Sequence, residues 1–206
     1  MRMSGVFRYS LITLAALAIA GCSDGTNPAA PGTRMMLAPD HMPQHTQTLA
    51  TGMIVKRTIT ITSDLSTTAT ITPKGGWMEI PDAGLILYFP PNAVSSDLEV
   101  TATAHNGNKV VYSFEPHGTQ FNTPIYVAQL LRYTELNTPR NKNRAKPWAG
   151  YLADGLVDIA PDGTGYFAEV FSAQYYGKGN DTYAIFTTTH FSGYALASGR
   201  SGNGRE

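Results

Sequence analysis

The chain has 206 residues, with 15 basic and 15 acidic side chains and a formal net charge of zero. This balance gives no attraction for nucleic acid and argues against a nucleic-acid-binding protein. Charged residues make up only 15% of the sequence, whereas glycine, proline and tyrosine number 20, 13 and 11, as expected for short strands joined by tight turns.

The amino terminus has the pattern of a secretory signal. Arg2 and Arg8 precede an apolar run over residues 11–20, in which Thr13 is the single polar residue, and no acidic residue lies among them. The run is about half of the roughly 20 residues that a membrane-spanning helix needs, and it ends at small residues. We therefore expect residues 1–21 to be a cleaved signal peptide. Its removal takes away two arginines and leaves 13 basic against 15 acidic side chains.

The signal ends at the chain's only cysteine, Cys22, so an internal disulfide is excluded. Residues 19–22 read Ile-Ala-Gly-Cys and resemble the lipobox of bacterial lipoproteins, in which small residues precede a modified cysteine. The resemblance implies diacylglycerol on the Cys22 sulfur and anchoring of the mature protein to a membrane. Ser23 replaces the aspartate of the inner-membrane retention pattern in enteric-type bacteria, which favours the outer membrane. The alternative is an ordinary secretory signal with an incidental cysteine.

Residues 22–52 are predicted to form the lipidated cysteine and a flexible tether. This stretch is rich in proline and has no apolar periodicity, so it cannot bury enough surface to offset the entropy of ordering. His41 and His45 have a spacing that could share a metal on a helix. Pro43 lies between them and argues against a helix, so no metal site is predicted there.

A single antiparallel β-sandwich is predicted over residues 53–199, followed by a disordered tail at 200–206. Strand-like segments alternate with turn residues, and no convincing amphipathic helix follows the signal. Candidate strands cover residues 54–62, 68–72, 77–80, 85–89, 98–104, 109–114, 125–132, 166–171, 183–188 and 193–197. Residues 136–148 interrupt this pattern with Arg140, Lys142, Arg144 and Lys146. We expect a solvated basic insertion there, with an anion site as the alternative.

Three landmarks within residues 75–197 carry a family resemblance. They read GGWMEIPDAGLILYFPPNAV over residues 75–94, YSFEPHGTQFNTPIYV over 112–127 and HFSGYA over 190–195. Together they are similar to the ZU-five domain, a β-sandwich named from zonula occludens proteins and netrin receptors. The resemblance implies this fold, and Phe89, Phe114 and Phe121 are predicted to fill the space between its sheets. It carries little about function, because a fold hosts many activities.

The third landmark also raises a possible chemistry. In some relatives of the family His-Phe-Ser is a self-cleavage site, where the serine hydroxyl attacks the preceding carbonyl of a strained peptide bond. That resemblance implies cleavage between Phe191 and Ser192 assisted by His190. The alternative, which we favour, is a final strand pair with Phe191 in the core and His190 and Ser192 facing the other way.

Other chemical sites have weaker support in the sequence. Asp154, Asp158, Asp162 and Asp181 lie in glycine-rich turns and could bind calcium, but turn aspartates more often bond their own backbone. The chain has no nucleophile elbow, zinc-protease motif or phosphate loop. We expect no enzyme activity, no cofactor and no metal.

The sequence thus predicts a lipid-anchored lipoprotein of the bacterial cell envelope that presents its sandwich to a protein or polysaccharide partner. Four rigid amphipathic side chains of the kind enriched at contact sites are its candidate binding residues, namely Trp148, Tyr151, Tyr175 and Tyr176. The alternative function is the self-cleaving domain.

Overall fold

The computed structural model describes residues 49–137 and 146–199. The predicted signal peptide, the tether as far as residue 48 and the tail at 200–206 lie outside these residues. Within them the chain forms fifteen strands and short 3-10 turns, and no helix there is long and apolar enough to cross a membrane. The predicted all-β class is therefore confirmed.

The strands, numbered β1 to β15 in chain order, build two antiparallel sheets and a small ribbon. They cover Ala50–Ile54, Lys56–Ile61, Leu65–Ile71, Gly76–Ile80, Leu85–Phe89, Leu98–Ala104, Gly107–Lys109, Val111–Glu115, Gln120–Leu130, Pro147–Leu152, Thr164–Phe167, Glu169–Ser172, Gln174–Tyr176, Tyr183–His190 and Gly193–Ser198. Eight form a sheet whose main path is β11-β1-β15-β8-β6-β3. Within it β1 pairs with the end of β15 and β8 with its start, whereas β10 pairs along its whole length and β12 pairs with β10. Five form the second sheet, ordered β13-β14-β9-β5-β4, and β2 pairs with β7 in the ribbon.

The main core lies between the two sheets, as expected for a β-sandwich. Its centre is aromatic, because the ring of Phe191 packs against those of Phe121, Phe114 and Phe89 at centroid distances of 4.7, 5.4 and 6.0 Å. All four side chains are buried. The prediction that Phe89, Phe114 and Phe121 fill the space between the sheets is confirmed.

A second, smaller core covers the opposite side of the eight-stranded sheet. Because side chains alternate along a strand, β15 directs Tyr194 and Leu196 to the main core and Ala195 and Ala197 to the second one. Trp148 of β10 and Phe167 of β11 fill this second core edge to face, with ring centroids 4.9 Å apart. Strands β10 and β15 are therefore buried on both sides.

Glycine closes the corner of the first landmark. Gly75 has a φ of +85°, and a Cβ at this position would overlap the carbonyl oxygen of Phe89. Gly84 has a φ of 67° and ends the 3-10 turn Pro81–Ala83 that joins β4 to β5. Side chains other than glycine rarely adopt such angles, so these two positions fix the hairpin geometry.

Three predicted strands are each divided in two. The segment at 54–62 divides at Val55 and the segment at 109–114 divides at Val110, where the chain passes between the eight-stranded sheet and the ribbon. These two valines are fully buried, and the Val110 amide donates to the Val55 carbonyl over 2.9 Å. The segment at 166–171 divides at Ala168 into β11 and β12.

The sequence did not predict β10 or β13. Strand β10 contains Pro147 and Gly150, which both disfavour strands. Glycine is nevertheless needed at position 150, because a Cβ there would overlap the ring of Phe167. Strand β13 has only three residues and lies at a sheet edge. The predicted boundaries also move: β1 begins at Ala50, three residues before the predicted domain. At the ends of the predicted basic insertion, Leu136 and Trp148 are buried.

Candidate binding surface

The solvent-facing side of the five-stranded sheet, here called the outer face, carries apolar side chains. Along β5 the residues Leu85, Leu87 and Phe89 point into the core, so Ile86 and Tyr88 point outward. The same alternation directs the odd-numbered residues of β4 and β14 and the even-numbered residues of β9 to the outer face. This face is therefore set by the strand register.

Three aromatic side chains on the outer face form what we call the aromatic row, namely Trp77, Tyr88 and Tyr126. Trp77 of β4 lies directly across from Tyr88 of β5, which lies directly across from Tyr126 of β9. They are 63%, 48% and 44% exposed. The two tyrosine rings have centroids 6.0 Å apart and planes inclined at 46°. Each ring therefore presents part of its surface to solvent.

The aromatic row continues across the remaining two strands. Thr187 of β14 lies across from Tyr126, and beyond it a depression of about 320 Å³ reaches β13. Gln174, Tyr176 and Ile185 contribute to its lining, and Tyr176 is 72% exposed. With neighbouring strands about 4.8 Å apart, the track from Trp77 to β13 is about 19 Å long.

The outer face is almost free of charge. Among the outward positions of its five strands, all within the described residues, Glu79 is the single aspartate, glutamate, lysine, arginine or histidine. The eight-stranded sheet differs, because the solvent side of its β3-β6 pair carries hydroxyl groups. Ser66 bonds Thr103 and Thr68 bonds Thr101, both over 2.8 Å. A solvated sheet in this protein can thus be polar, so folding does not require an aromatic outer face.

Two of the four predicted binding residues, Trp148 and Tyr175, line a common groove. It has a volume of about 480 Å³ and lies beside Lys146 and Phe171. Trp148 is only 9% exposed and its Nε1 donates to the Gly199 carbonyl over 3.0 Å. It is therefore a buried residue, and it does not offer the exposed ring that a binding residue needs. Its indole is needed in the second core, which the sequence pattern did not reveal.

The other two predicted residues lie in different surroundings. Tyr151 is half-buried, with its ring 5.2 Å from that of His190 and 6.1 Å from that of Tyr194. Tyr176 lies on the outer face at the end of the track, as described above. Sequence reasoning missed Trp77, Tyr88 and Tyr126 as candidates. Their positions in alternating strands were a usable signal, but the register that aligns them was not visible.

The His190-Phe191-Ser192 segment joins β14 to β15. Phe191 is 1% exposed, so its predicted core position is confirmed; Ser192 is 6% exposed, so it too is buried. The Phe191 amide donates to the Thr119 carbonyl over 2.9 Å, and its own carbonyl accepts from the Gly118 amide over 3.1 Å. The backbone on the amino side of the Phe191–Ser192 bond is therefore held by the β8–β9 connection.

The imidazole of His190 belongs to a polar network. Its Nε2 lies 3.2 Å from Oε2 of Glu169, and its Nδ1 lies 3.1 Å from the hydroxyl of Tyr194. That hydroxyl donates to the His190 carbonyl over 2.6 Å and lies 2.9 Å from Oγ1 of Thr188. Burial raises the pKa of Tyr194, and the Thr188 hydrogen bond partly opposes this. Both ring nitrogens of His190 thus have partners other than the Ser192 hydroxyl.

Three of the four turn aspartates, Asp158, Asp162 and Asp181, use their carboxylates to bond other groups of the protein. Oδ2 of Asp158 accepts from the Asp154 amide and Oδ1 of Asp162 accepts from the Thr164 amide, both over 2.8 Å. The second bond lowers the pKa of Asp162. Asp181 pairs with Arg132. In the described part of the chain no three histidine, cysteine or acidic residues group together as metal ligands would.

Several predicted residues lie outside the described ranges, so their roles stay predictions. They are Cys22, His41, His45, Arg140, Lys142 and Arg144. Comparison of the sequence with protein-family models and with curated proteins gives no match. The ZU-five resemblance therefore rests on the three landmarks alone.

Proposed function

We propose that this protein is a non-enzymatic binding module of the bacterial cell envelope, held at the membrane by lipid on Cys22. Its sandwich presents the outer face of the five-stranded sheet to a partner. The aromatic row carries this proposal, because three large rings between 44% and 63% exposed lie side by side on a sheet. Contiguous exposed apolar surface is often functional and marks a site of interaction with a partner or ligand.

The composition of the outer face supports binding. Tyrosine and tryptophan are enriched at interfaces because they offer a large contact area and lose little conformational freedom. Strands β5, β9 and β14 are paired in regular register on both sides of Tyr126, so the side chains of this face are positioned before a partner arrives. Such preorganisation reduces the entropic cost of association.

The anchoring part of the proposal rests on the sequence. The apolar run at residues 11–20 and the lipobox-like Ile-Ala-Gly-Cys tetrapeptide support export and lipidation. Ser23 favours the outer membrane. The hydrogen-bonded surroundings of His190 favour a structural role for it over self-cleavage.

Two measurements test this function. The intact mass of protein purified from membranes should include a lipid at Cys22, and Cys22→Ala should remove that mass and with it the lipid anchor. The full chain carrying Cys22→Ala should bind isolated cell envelopes of the producing bacterium. Adding Trp77→Ala and Tyr126→Ala should abolish that binding.

Tyr166→Ala is the matched control. Tyr166 is 42% exposed, close to the 44% of Tyr126, but it lies on β11 of the other sheet. This variant should bind envelopes as the parent does. Envelope binding that survives loss of the aromatic row, or that Tyr166→Ala removes equally, would overturn the proposed surface. An unmodified mass at Cys22 would overturn the anchor.

A further inference from the structure

The outer face combines exposed rings with uncharged hydrogen-bonding groups in one line. We propose that it binds a neutral polysaccharide, with sugar rings stacked on Trp77, Tyr88 and Tyr126. The proposal rests on the proposed binding function and specifies its ligand class. It identifies Trp77 and Tyr126 as the principal contacts, because they mark the two ends of the aromatic row.

The shape of the track fits a chain-like ligand. The aromatic row crosses three neighbouring strands, and Thr187 and the depression at β13 extend it across the remaining two, to about 19 Å. A second depression, of about 250 Å³, lies on the same face between Glu79 and Tyr183. A polymer chain can lie along such an open track, whereas a small compact ligand needs an enclosing pocket.

Aromatic rings and hydrogen-bonding groups alternate along the track, and a sugar can use both. A pyranose ring has faces made of C–H groups, which carry partial positive charge, and edges made of hydroxyl groups. The negative face of an aromatic ring attracts the C–H groups. The Tyr88 and Tyr126 hydroxyls, together with Thr187 and Gln174, can exchange hydrogen bonds with the edges. Apolar and hydroxyl-bearing partners therefore occur side by side along the track.

Charge distinguishes this ligand from other polymers and partners. An acidic polysaccharide or an anionic lipid surface would need lysine or arginine, and the outward positions of the five strands carry neither. Protein interfaces are typically enriched in arginine and surrounded by a polar rim. A single acidic residue, Glu79, matches a ligand without charge.

The test is affinity electrophoresis of the full chain carrying Cys22→Ala through native gels that contain one polymer each. The polymers are hydroxyethylcellulose, galactomannan, dextran and glycol chitin as a polysaccharide panel, with alginate as the acidic comparison. At least one neutral polymer should retard the protein, and retardation should persist at high salt because no ion pair is involved. Trp77→Ala or Tyr126→Ala should each weaken binding roughly tenfold. Tyr166→Ala should leave it unchanged.

Each result has a definite meaning. Thermal unfolding of the variants should match the parent, since the substituted rings lie on the surface. Retardation by none of the neutral polymers, preference for alginate, or retardation that the two variants leave intact overturns the proposal. Binding of isolated envelopes through the aromatic row without polysaccharide binding would retain the proposed function and point to a protein. Flotation with vesicles of phosphatidylethanolamine and phosphatidylglycerol that depends on the row would instead point to lipid.

Discussion

Replacing Phe191 by alanine tests whether the His-Phe-Ser segment is a structural element. The side chain is 1% exposed and its ring packs against three other phenylalanine rings. Removing a ring from such a site costs about 4 kcal/mol in the free energy of unfolding, because its transfer and packing energies are lost and a cavity remains. For a domain of this size that corresponds to a fall in Tm of roughly 15 °C.

The assay is urea and thermal unfolding of the full chain carrying Cys22→Ala, followed by tyrosine and tryptophan fluorescence. Phe191→Leu keeps most of the volume and should cost only about 1–2 kcal/mol, so the series remains readable even if the alanine variant does not fold. Ser192→Ala serves as the chemical control. It should change stability by less than about 1 kcal/mol and leave the intact mass one unbroken chain.

Two results would refute this reasoning. A Phe191→Leu variant as stable as the parent, together with a mild Phe191→Ala, would mean that the aromatic centre does not stabilise the sandwich. A wild-type chain that breaks between Phe191 and Ser192, and stays whole in Ser192→Ala, would establish self-cleavage and remove the argument for a purely structural segment.

Two further predictions concern buried polar groups. Arg57 is 6% exposed and lies over the Tyr112 ring; its Nη1 donates to the Lys109 carbonyl, whereas its Nε and Nη2 are buried without a hydrogen bond. Because two buried donors and a buried charge outweigh that one bond, Arg57→Met should raise the free energy of unfolding by about 1 kcal/mol in urea titrations, and a loss of 2 kcal/mol or more would contradict this. Burial raises the pKa of both Tyr112 and Tyr194, so their contribution to stability is complete below about pH 10, the ordinary tyrosine value, and is lost as pH rises above it. The free energy of unfolding, measured from pH 8 to 12, should fall more steeply above pH 10, and Tyr194→Phe should reduce the slope of that fall. Equal slopes in the parent and the variant would refute the assignment.

The strand pattern was readable from the sequence wherever alternation and turn chemistry agreed. The predicted strands at 85–89 and 98–104 match β5 and β6, because glycine, proline and aspartate close both ends. The segment at 109–114 was predicted as one strand and is two. Local propensity cannot predict that the chain leaves the ribbon for the eight-stranded sheet at Val110. That change of sheet depends on the hydrogen bond to Val55, which is distant in sequence.

The binding residues were less predictable than the strands. Tyr176 is exposed as expected, but Trp148 is buried, because the second core on the eight-stranded sheet needs its ring beside Phe167. Nothing local to Pro147–Leu152 indicates that this strand is covered on both sides. Exposure of an aromatic residue depends on which element packs over it, and that element is distant in sequence.

The sequence alone determined the all-β class and the aromatic core around Phe89, Phe114 and Phe121, and it predicts export and a lipid anchor. Each of these depends on local order: alternation, turn residues, or a short motif next to Cys22. The tertiary structure decided which rings form a surface. Trp77, Tyr88 and Tyr126 are up to 49 positions apart in the chain, and only the pairing of β4, β5 and β9 aligns them on one face. Register between distant strands is set by the fit of the whole core, which no short stretch of sequence contains.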